Sequence, residues 1–320
     1  RFGGDVSVDL GRISIFDRQT APYPDVGFNA QSHDEVRQWI GGVQYEGRWR
    51  DRGELSIGVQ KVNYEMRTDR PGVPVAISEA TPLLWNAAVS VNLGARLAAY
   101  AGVTRGLEES GAAPSAAANR NTALPAIETE QTDVGLRWRL RPGLNLIAGV
   151  FDISKPYSNL DEANVWRELG EVNTRGVEMS LSGEVRPGLN VLAGAVLTDA
   201  EVTGDAVRLG RVGPKPVGSS PATVLFNADW RPANWGGASI DVGVSHSGEQ
   251  VATRDNLINI PSRTTVDLGM RYPLRIAGAR SVLRAQVRNA TDVQGFSMRG
   301  SGAFGVIAGR VFSLSLASDF

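Results

Sequence analysis

Trp85, Ala87, Val89, Val91 and Leu93 fall on one face of an extended segment, and Asn86, Ser90 and Asn92 fall on the other. Val134, Leu136, Trp138 and Leu140 oppose Asp133, Arg137 and Arg139 in the same way, and Val177, Met179 and Leu181 oppose Glu178, Ser180 and Ser182. Ile240, Val242 and Val244 oppose Asp241, Gly243 and Ser245; Val266, Leu268, Met270 and Tyr272 oppose Thr265, Asp267 and Arg271. A period of two predicts strands with one apolar and one polar face. The closing RVFSLSLASDF, from Arg310 to Phe320, alternates up to an aromatic last residue, which predicts a paired chain end where a frayed one is usual.

The strands recur with a fixed spacing. LRPGLNLIAGVF (Leu140 to Phe151) returns as VRPGLNVLAGAV (Val185 to Val196), and Arg141, Arg186 and Arg231 follow one another at intervals of 45. The same step outward reaches Arg96, Asp51 and Ile276, each in a turn-like segment. Such a period marks a repeated supersecondary unit. Each unit holds two strands, one on either side of a short turn. Long polar stretches at 18–35, 67–83, 106–127, 156–165, 204–222, 249–262 and 290–310 join the far ends. Six short turns and seven long loops thus connect fourteen expected strands.

Two architectures have this spacing. A seven-bladed propeller repeats at about 40–45 residues but needs four strands per blade, and the pattern here supplies two. A transmembrane barrel has short turns at one rim, long loops at the other, an apolar outer face and aromatic girdles at the interfaces. Trp49, Trp138, Trp230 and Tyr272 each precede a short turn, in phase with the apolar face. A water-filled lumen also accommodates Arg137, Arg139, Asp241, Asp267, Arg271, Arg284 and Arg288, which a packed core could not leave unpaired. The expected fold is all-β, an antiparallel transmembrane barrel.

Composition narrows the partners. The 33 basic and 34 acidic residues nearly cancel, with no basic cluster or aromatic stripe of the kind nucleic acid requires. There is no cysteine, so disulfides, thiolate metal sites and cysteine nucleophiles are excluded. No run reaches the roughly 18 apolar residues of a membrane helix, and RFGGDVSVDL at the start lacks a signal-peptide layout. Any membrane role falls to strands.

GEVNTRGVEMSLSGEVRPGLNVLAGAVLTDAEVTG (Gly170 to Gly204) resembles the barrel of TonB-dependent siderophore receptors, with its Gly-Glu-Val stretch, Arg-Gly-Val-Glu strand, Pro-Gly-Leu turn and Thr-Asp-Ala strand end in order. VDLGMRYPL resembles that family's penultimate hairpin, VRNATDVQGF (Val287 to Phe296) its strand exit, and GRVFSLSLASDF its last strand. The resemblance spans nearly the whole chain. It implies a bacterial outer-membrane receptor that takes up ferric siderophores, energised by TonB through a plug domain. It also implies a barrel of 22 strands, of which these fourteen match the last, so that residues 1–320 are expected to be a C-terminal barrel portion. Nothing in the sequence looks like a plug. Phe320 would be part of the signal read by the outer-membrane assembly machinery. Receptors of the same fold for cobalamin, haem or oligosaccharide, and a passive pore, are the alternatives.

Ferric chelates offer negative charge and flat aromatic arms together, which suits arginine and aromatic side chains. Tyr64, Arg67, Tyr157, Trp166, Arg167, Arg254 and Arg299 are the rim or loop residues of that type and are the candidate ligand contacts. For each, the competing expectation is an interface aromatic or an arginine facing solvent or lipopolysaccharide. No catalytic residue, metal site or cofactor is expected. GSGAFG (Gly300 to Gly305) matches a dinucleotide fingerprint but lacks the strand-to-helix context. NAT at Asn289 matches a glycosylation acceptor but reads better as the strand exit. His33 and His246 are the two histidines, and SHSGE (Ser245 to Glu249) is the candidate for a histidine lying in a strand next to a serine, as a barrel hydrolase would need.

Overall fold

The computed structural model describes residues 32–300 and 303–319. The chain runs through β1 (His33–Trp49), β2 (Gly53–Asp69), the short β3 (Ala76–Ala80), β4 (Leu83–Asn92), β5 (Leu97–Glu108) and β6 (Ile127–Arg141). It continues through β7 (Leu144–Leu160), β8 (Trp166–Arg186), β9 (Leu189–Gly204), one helical turn α1 (Asp205–Arg208), β10 (Ala222–Trp230) and β11 (Ser239–Ser247). The last elements are β12 (Gln250–Val251), β13 (Asn259–Ile260), β14 (Arg263–Ile276), β15 (Ala279–Arg288), β16 (Phe296–Gly300), β17 (Ala303–Val306) and β18 (Val311–Asp319).

Every long strand pairs antiparallel with its sequence neighbours, in the order β1-β2-β4-β5-β6-β7-β8-β9-β10-β11-β14-β15-β18, with β3 added to the upper end of β2. This is one continuous wall, open between β1 and β18 among the described residues, and it has no four-stranded blades. The first of the fourteen expected strands lies in residues 1–31 and Phe320 at the chain end; both fall outside the described residues. The six expected short turns all connect paired neighbours, and Pro142 with Gly143 (φ 79°) explains the tightest kind. Proline presets the entry angle and glycine takes the left-handed residue.

Pairing keeps the apolar face in phase across the wall. Val134 stands opposite Ala101 and Val150, and Val177 stands opposite Val150 and Leu197. The outer side chains have no protein above them: Val43 is 81% exposed and Leu314 72%. A surface of this kind is stable in hydrocarbon and aggregates in water. Trp49, Trp138 and Tyr272 are exposed on that face beside the short turns. Trp230 instead packs on Trp235, ring centroids 5.5 Å apart, beneath the Arg186 guanidinium. Trp39 is on the face of Trp49, ten residues up β1. At about 3.3 Å per residue and a tilt of about 40° the two indoles stand about 25 Å apart in height, the span of a barrel's apolar band.

The inner face carries the expected charges. Arg271 is held between Asp229, in direct contact, and Asp241 at 3.7 Å. Large inner side chains lie flat over glycines of adjacent strands: a Cβ at Gly135 would sit 2.5 Å from the Tyr100 hydroxyl, and one at Gly176 would sit 2.4 Å from the Phe151 ring. The wall is therefore thin where Tyr100 and Phe151 cross it.

The loop boundaries are where the sequence expectation needs correcting. The stretches 67–83 and 156–165 were expected as loops, but β2 continues to Asp69 and turns back through β3, and β7 continues to Leu160 before meeting β8. Above the lipid both faces of a strand meet water or loops, so the alternation that marks a strand disappears while the hydrogen-bonded ladder goes on. The stretches 204–222, 249–262 and 290–310 carry small elements of their own, α1, β12 with β13, and β16 with β17.

The extracellular mouth as candidate binding site

At the end opposite the short turns, loops from separate hairpins are tied together by asparagine side chains. Asn119 imitates a strand neighbour: its Nδ2 donates to the Trp166 carbonyl at 2.9 Å and its Oδ1 accepts from the Trp166 N–H at 2.8 Å. Asn164 donates to the Ala116 carbonyl at 2.8 Å. On the other side of the mouth Asn256 does for Lys215 what Asn119 does for Trp166, at 2.8 and 2.9 Å. Asn164 and Asn256 both sit at φ 59°, a conformation asparagine tolerates because its short amide bonds locally. The loop before β6 is thus joined to the β7–β8 turn, and the loop after α1 to the segment between β12 and β13.

One contact bridges these two assemblies. The Arg254 guanidinium stands over the Trp166 ring at 5.9 Å. Arg167, next along, donates from Nε to Asp161 Oδ2 at 2.7 Å, and Asp161 Oδ1 accepts the N–H groups of Ala163 and Val165 at 2.9 Å each. The Arg167 hydrogen bond, followed by that from Val165, holds the Asp161 carboxyl below its ordinary pKa. Two of the candidate contacts, Trp166 and Arg254, therefore meet, while Arg167, the next residue of β8, leaves the other face of the strand and is engaged by Asp161. Arg254 and Arg167 are exposed and present charge, and the half-buried Trp166 presents a stacking face.

The other candidates lie elsewhere. Tyr64 is 2% exposed, packed with Val62, Met66 and Leu84, and its hydroxyl has no partner in the structure. Arg67 is on the opposite face of β2, across from Glu35 and Ile77. Tyr157 leans on the cluster of Leu169, Val172, Val202, Ala206 and Val212 beneath α1. Arg299 is in the separate β16–β17 hairpin and exposed. The sequence reading missed Asn119, Asp161 and Asn256, which position the mouth; only their turn-prone residue type marked them. It also missed Tyr100, which lines a recess of about 340 Å³ in the inner wall with the Arg137 guanidinium 4.7 Å from its ring. Tyr100 shares the inner phase with Ala98 and Gly102, so alternation could have found it.

Two other motifs acquire plain structural roles. His246 faces outward and bonds Thr264 at 2.8 Å, while Ser245 and Ser247 point inward, so register separates the histidine from both serines. Asn289 is 7% exposed, accepts from the Val293 N–H and donates to the carbonyls of Val293 and Ala308. It locks the exit of β15 to the start of β18. Among the described residues no group of three or more histidine or carboxylate side chains is placed to hold a bare metal ion.

Residues 2–290 match the family described as TonB dependent receptor-like, beta-barrel. The chain belongs to this family. The outer face and girdles described above are accordingly those of an outer-membrane receptor barrel. Among relatives, the barrel is similar to the ferrichrome receptor FcuA of Yersinia enterocolitica, 26% identical over 285 residues, covering 84% of this chain and 37% of that protein. Its wall superposes on BauA, the ferric preacinetobactin receptor of Acinetobacter baumannii, with a TM-score of 0.79 at 21% identity, covering 94% of this chain and 45% of that one. The siderophore receptor PiuA of the same organism gives 0.76 at 15% identity, covering 89% and 43%. The receptor barrel described here spans less than half the length of each of these proteins.

Proposed function

We propose that residues 1–320 are the C-terminal part of a 22-strand barrel belonging to an outer-membrane receptor that takes up ferric siderophores. The rest of that receptor would supply a plug domain through which TonB delivers energy. The observation that carries the reading is the meeting of Trp166 and Arg254 at the mouth, with the exposed Arg167 on the same strand end, on a wall whose relatives are named as ferrichrome and siderophore receptors. A ferric chelate with anionic, flat ligand arms finds charge and a stacking surface there together. Capture needs no bond making or breaking by the protein; the chelate is held, then released inward along the polar inner wall when the plug rearranges.

Two further partners follow from position. Arg105 with Glu128, and Arg175 with Asp152 at 2.7 Å, stand on the outer face just above the apolar band, at the level of lipopolysaccharide headgroups. Phe320, as a terminal aromatic, would be read by the outer-membrane assembly machinery.

The test is growth. The full-length gene is expected to support growth on a ferric siderophore under iron limitation only when TonB is present. Trp166→Ala with Arg167→Ala is expected to weaken siderophore binding at least tenfold, about what loss of one exposed cation–π contact and one charge-assisted contact implies. Arg288→Ala, on the inner wall, should leave binding near wild type. Growth that persists without TonB would instead support a passive pore, and a phenotype on another nutrient would reassign the substrate.

A further inference from the structure

A surface that meets water above the lipid is normally polar, yet the mouth carries an apolar patch left open among the described residues. The register of the β16–β17 hairpin sets Phe296 opposite Val306 and Met298 opposite Phe304, so these four share one face. Ser297 and Arg299 take the other, where an added Cβ at Gly305 would lie 2.7 Å from Arg299 Nε and 3.3 Å from Ser297 Oγ. The apolar face is turned inward. Arg263, in the inner phase of β14 with Thr265 and Asp267, donates from Nη1 to the Phe296 carbonyl at 3.0 Å. The Met298 methyl lies against Gly218, whose own N–H donates to the Val251 carbonyl at 2.8 Å. The hairpin thus leans over the lumen onto β12 and the loop between α1 and β10. Met298 is half-buried, but Phe296, Phe304 and Val306 stay exposed, Val306 by 78%. Phe296 and Phe304 meet edge to face, ring centroids 6.3 Å apart, which fixes both rings.

The patch continues toward the candidate site. β13 runs beside β16, and the turn before β13 exposes Leu257, by 82%, and Ile258. Leu257 follows Arg254, the cation over Trp166, by three residues, which span at most about 11 Å. Asn256, bonded to Lys215, and the Leu257 N–H, bonded to Asp255 Oδ1 at 3.1 Å, hold this turn in shape. A cation on an indole and a contiguous apolar patch, the mark of a binding surface, are therefore set side by side. We infer, resting on the reading of the mouth given above, that the substrate is an amphiphilic ferric chelate. Its anionic core lies at Trp166 and Arg254, and an apolar arm lies along Leu257, Ile258 and the Phe296, Phe304 and Val306 face. Continuity selects this occupant, because whatever is held at Trp166 reaches the patch within one turn of chain. A second copy in the same membrane stands on the outer side of the wall, away from an inward face.

The full-length receptor in detergent is titrated with two ferric tris-catecholate probes that differ in one amide, acetyl or octanoyl, and the ratio of their dissociation constants is compared between proteins. Comparison in one detergent cancels partition of the chain into micelles. Each methylene taken out of water tightens binding about fourfold, so with about three covered the octanoyl preference of the wild type is expected to exceed that of Leu257→Ser with Phe304→Ser and Val306→Ser roughly 60-fold. Should the triple variant fold poorly, Leu257→Ser alone is expected to lower the preference about fourfold. Val73→Ser with Val75→Ser, exposed valines between β2 and β3, should leave it unchanged. Trp166→Ala with Arg254→Ala is expected to weaken both probes alike. An octanoyl preference that is the same in the wild type and the Leu257→Ser protein overturns the inference alone and leaves the patch to a protein partner. Failure of both probes to bind overturns the reading of the mouth and the inference with it.

Discussion

At the periplasmic rim the β6–β7 and β8–β9 hairpins close on Pro142-Gly143 and Pro187-Gly188, with the glycines at φ 79° and 77°. At the extracellular mouth the left-handed residues other than glycine are Asn121, Asn164, Asn256, Asn289 and Asp292, at φ 49° to 62°. A proline-glycine turn is dictated by two adjacent residues and needs nothing else. Asn164, Asn256 and Asn289 hold their conformations while bonding residues far away in sequence, as Asn256 does with Lys215, 41 positions earlier. One rim is therefore specified locally and repeated, and the other is specified by long-range side-chain bonds and differs at every loop. The repeated rim sets strand register; the variable one can change its chemistry without disturbing the wall.

This contrast predicts unequal consequences of mutation in the full-length receptor. The largest is expected at Gly183, with φ 131°, where an added Cβ would lie 1.8 Å from the Gly143 carbonyl oxygen. Gly183→Ala combines a forbidden conformation with a backbone clash and is expected to cost on the order of 3 kcal/mol or more. A fall in heat-modifiable folded barrel measures it, and an unchanged yield would show that the hairpin can re-form around a side chain. Next comes Asn256→Ala, which leaves the Lys215 N–H and carbonyl without this partner and is expected to cost roughly 1–3 kcal/mol of local stability. Faster proteolysis between Val212 and Ile260 should appear with the urea midpoint of the wall unchanged; a shift of the wall itself would erase the distinction between the rims.

The smallest effect concerns acid. Asp161 has its carboxyl pKa held below the ordinary 3.8 in the folded mouth by Arg167 first and the Val165 N–H next. A depressed folded pKa stabilises above the unfolded value, so this contribution is complete at neutral pH and fades only as pH falls below about 3.8. Hydrogen exchange at Ala163 and Val165, corrected for its intrinsic pH dependence, should therefore be flat from about pH 5 to 8 and lose protection in stronger acid. Asp161→Asn should remove that acid dependence.

The legibility of the fold follows the same division. Strands inside the lipid were readable because hydrocarbon on one side and water on the other impose a strict alternation, as from Trp85 to Leu93. Turns were readable because Arg-Pro-Gly-Leu carries its conformation in its own residues. The upper part of β7, through Tyr157 and Leu160, was not readable, because above the lipid no solvent difference separates the faces. Nor was the burial of Tyr64 legible, since it depends on β3 folding back and on Leu84 arriving from the next strand. At the mouth, the sequence supplied Trp166, Arg167 and Arg254 as side-chain types suited to an anionic aromatic ligand. It could not supply the meeting of Trp166 with Arg254, which depends on Asn119 and Asn256 tying loops that lie tens of residues apart.

The pairing of every wall strand with its sequence neighbours bears on how such a protein can change length over generations. A hairpin is the smallest removable piece: deleting one 45-residue repeat leaves each surviving strand running in its original direction, with its lipid side still facing lipid. Deleting a single strand reverses the direction of every strand downstream and carries the remaining loops to the wrong side of the membrane. Barrels of this construction therefore gain and lose strands in twos, and even strand number is inherited with the connectivity.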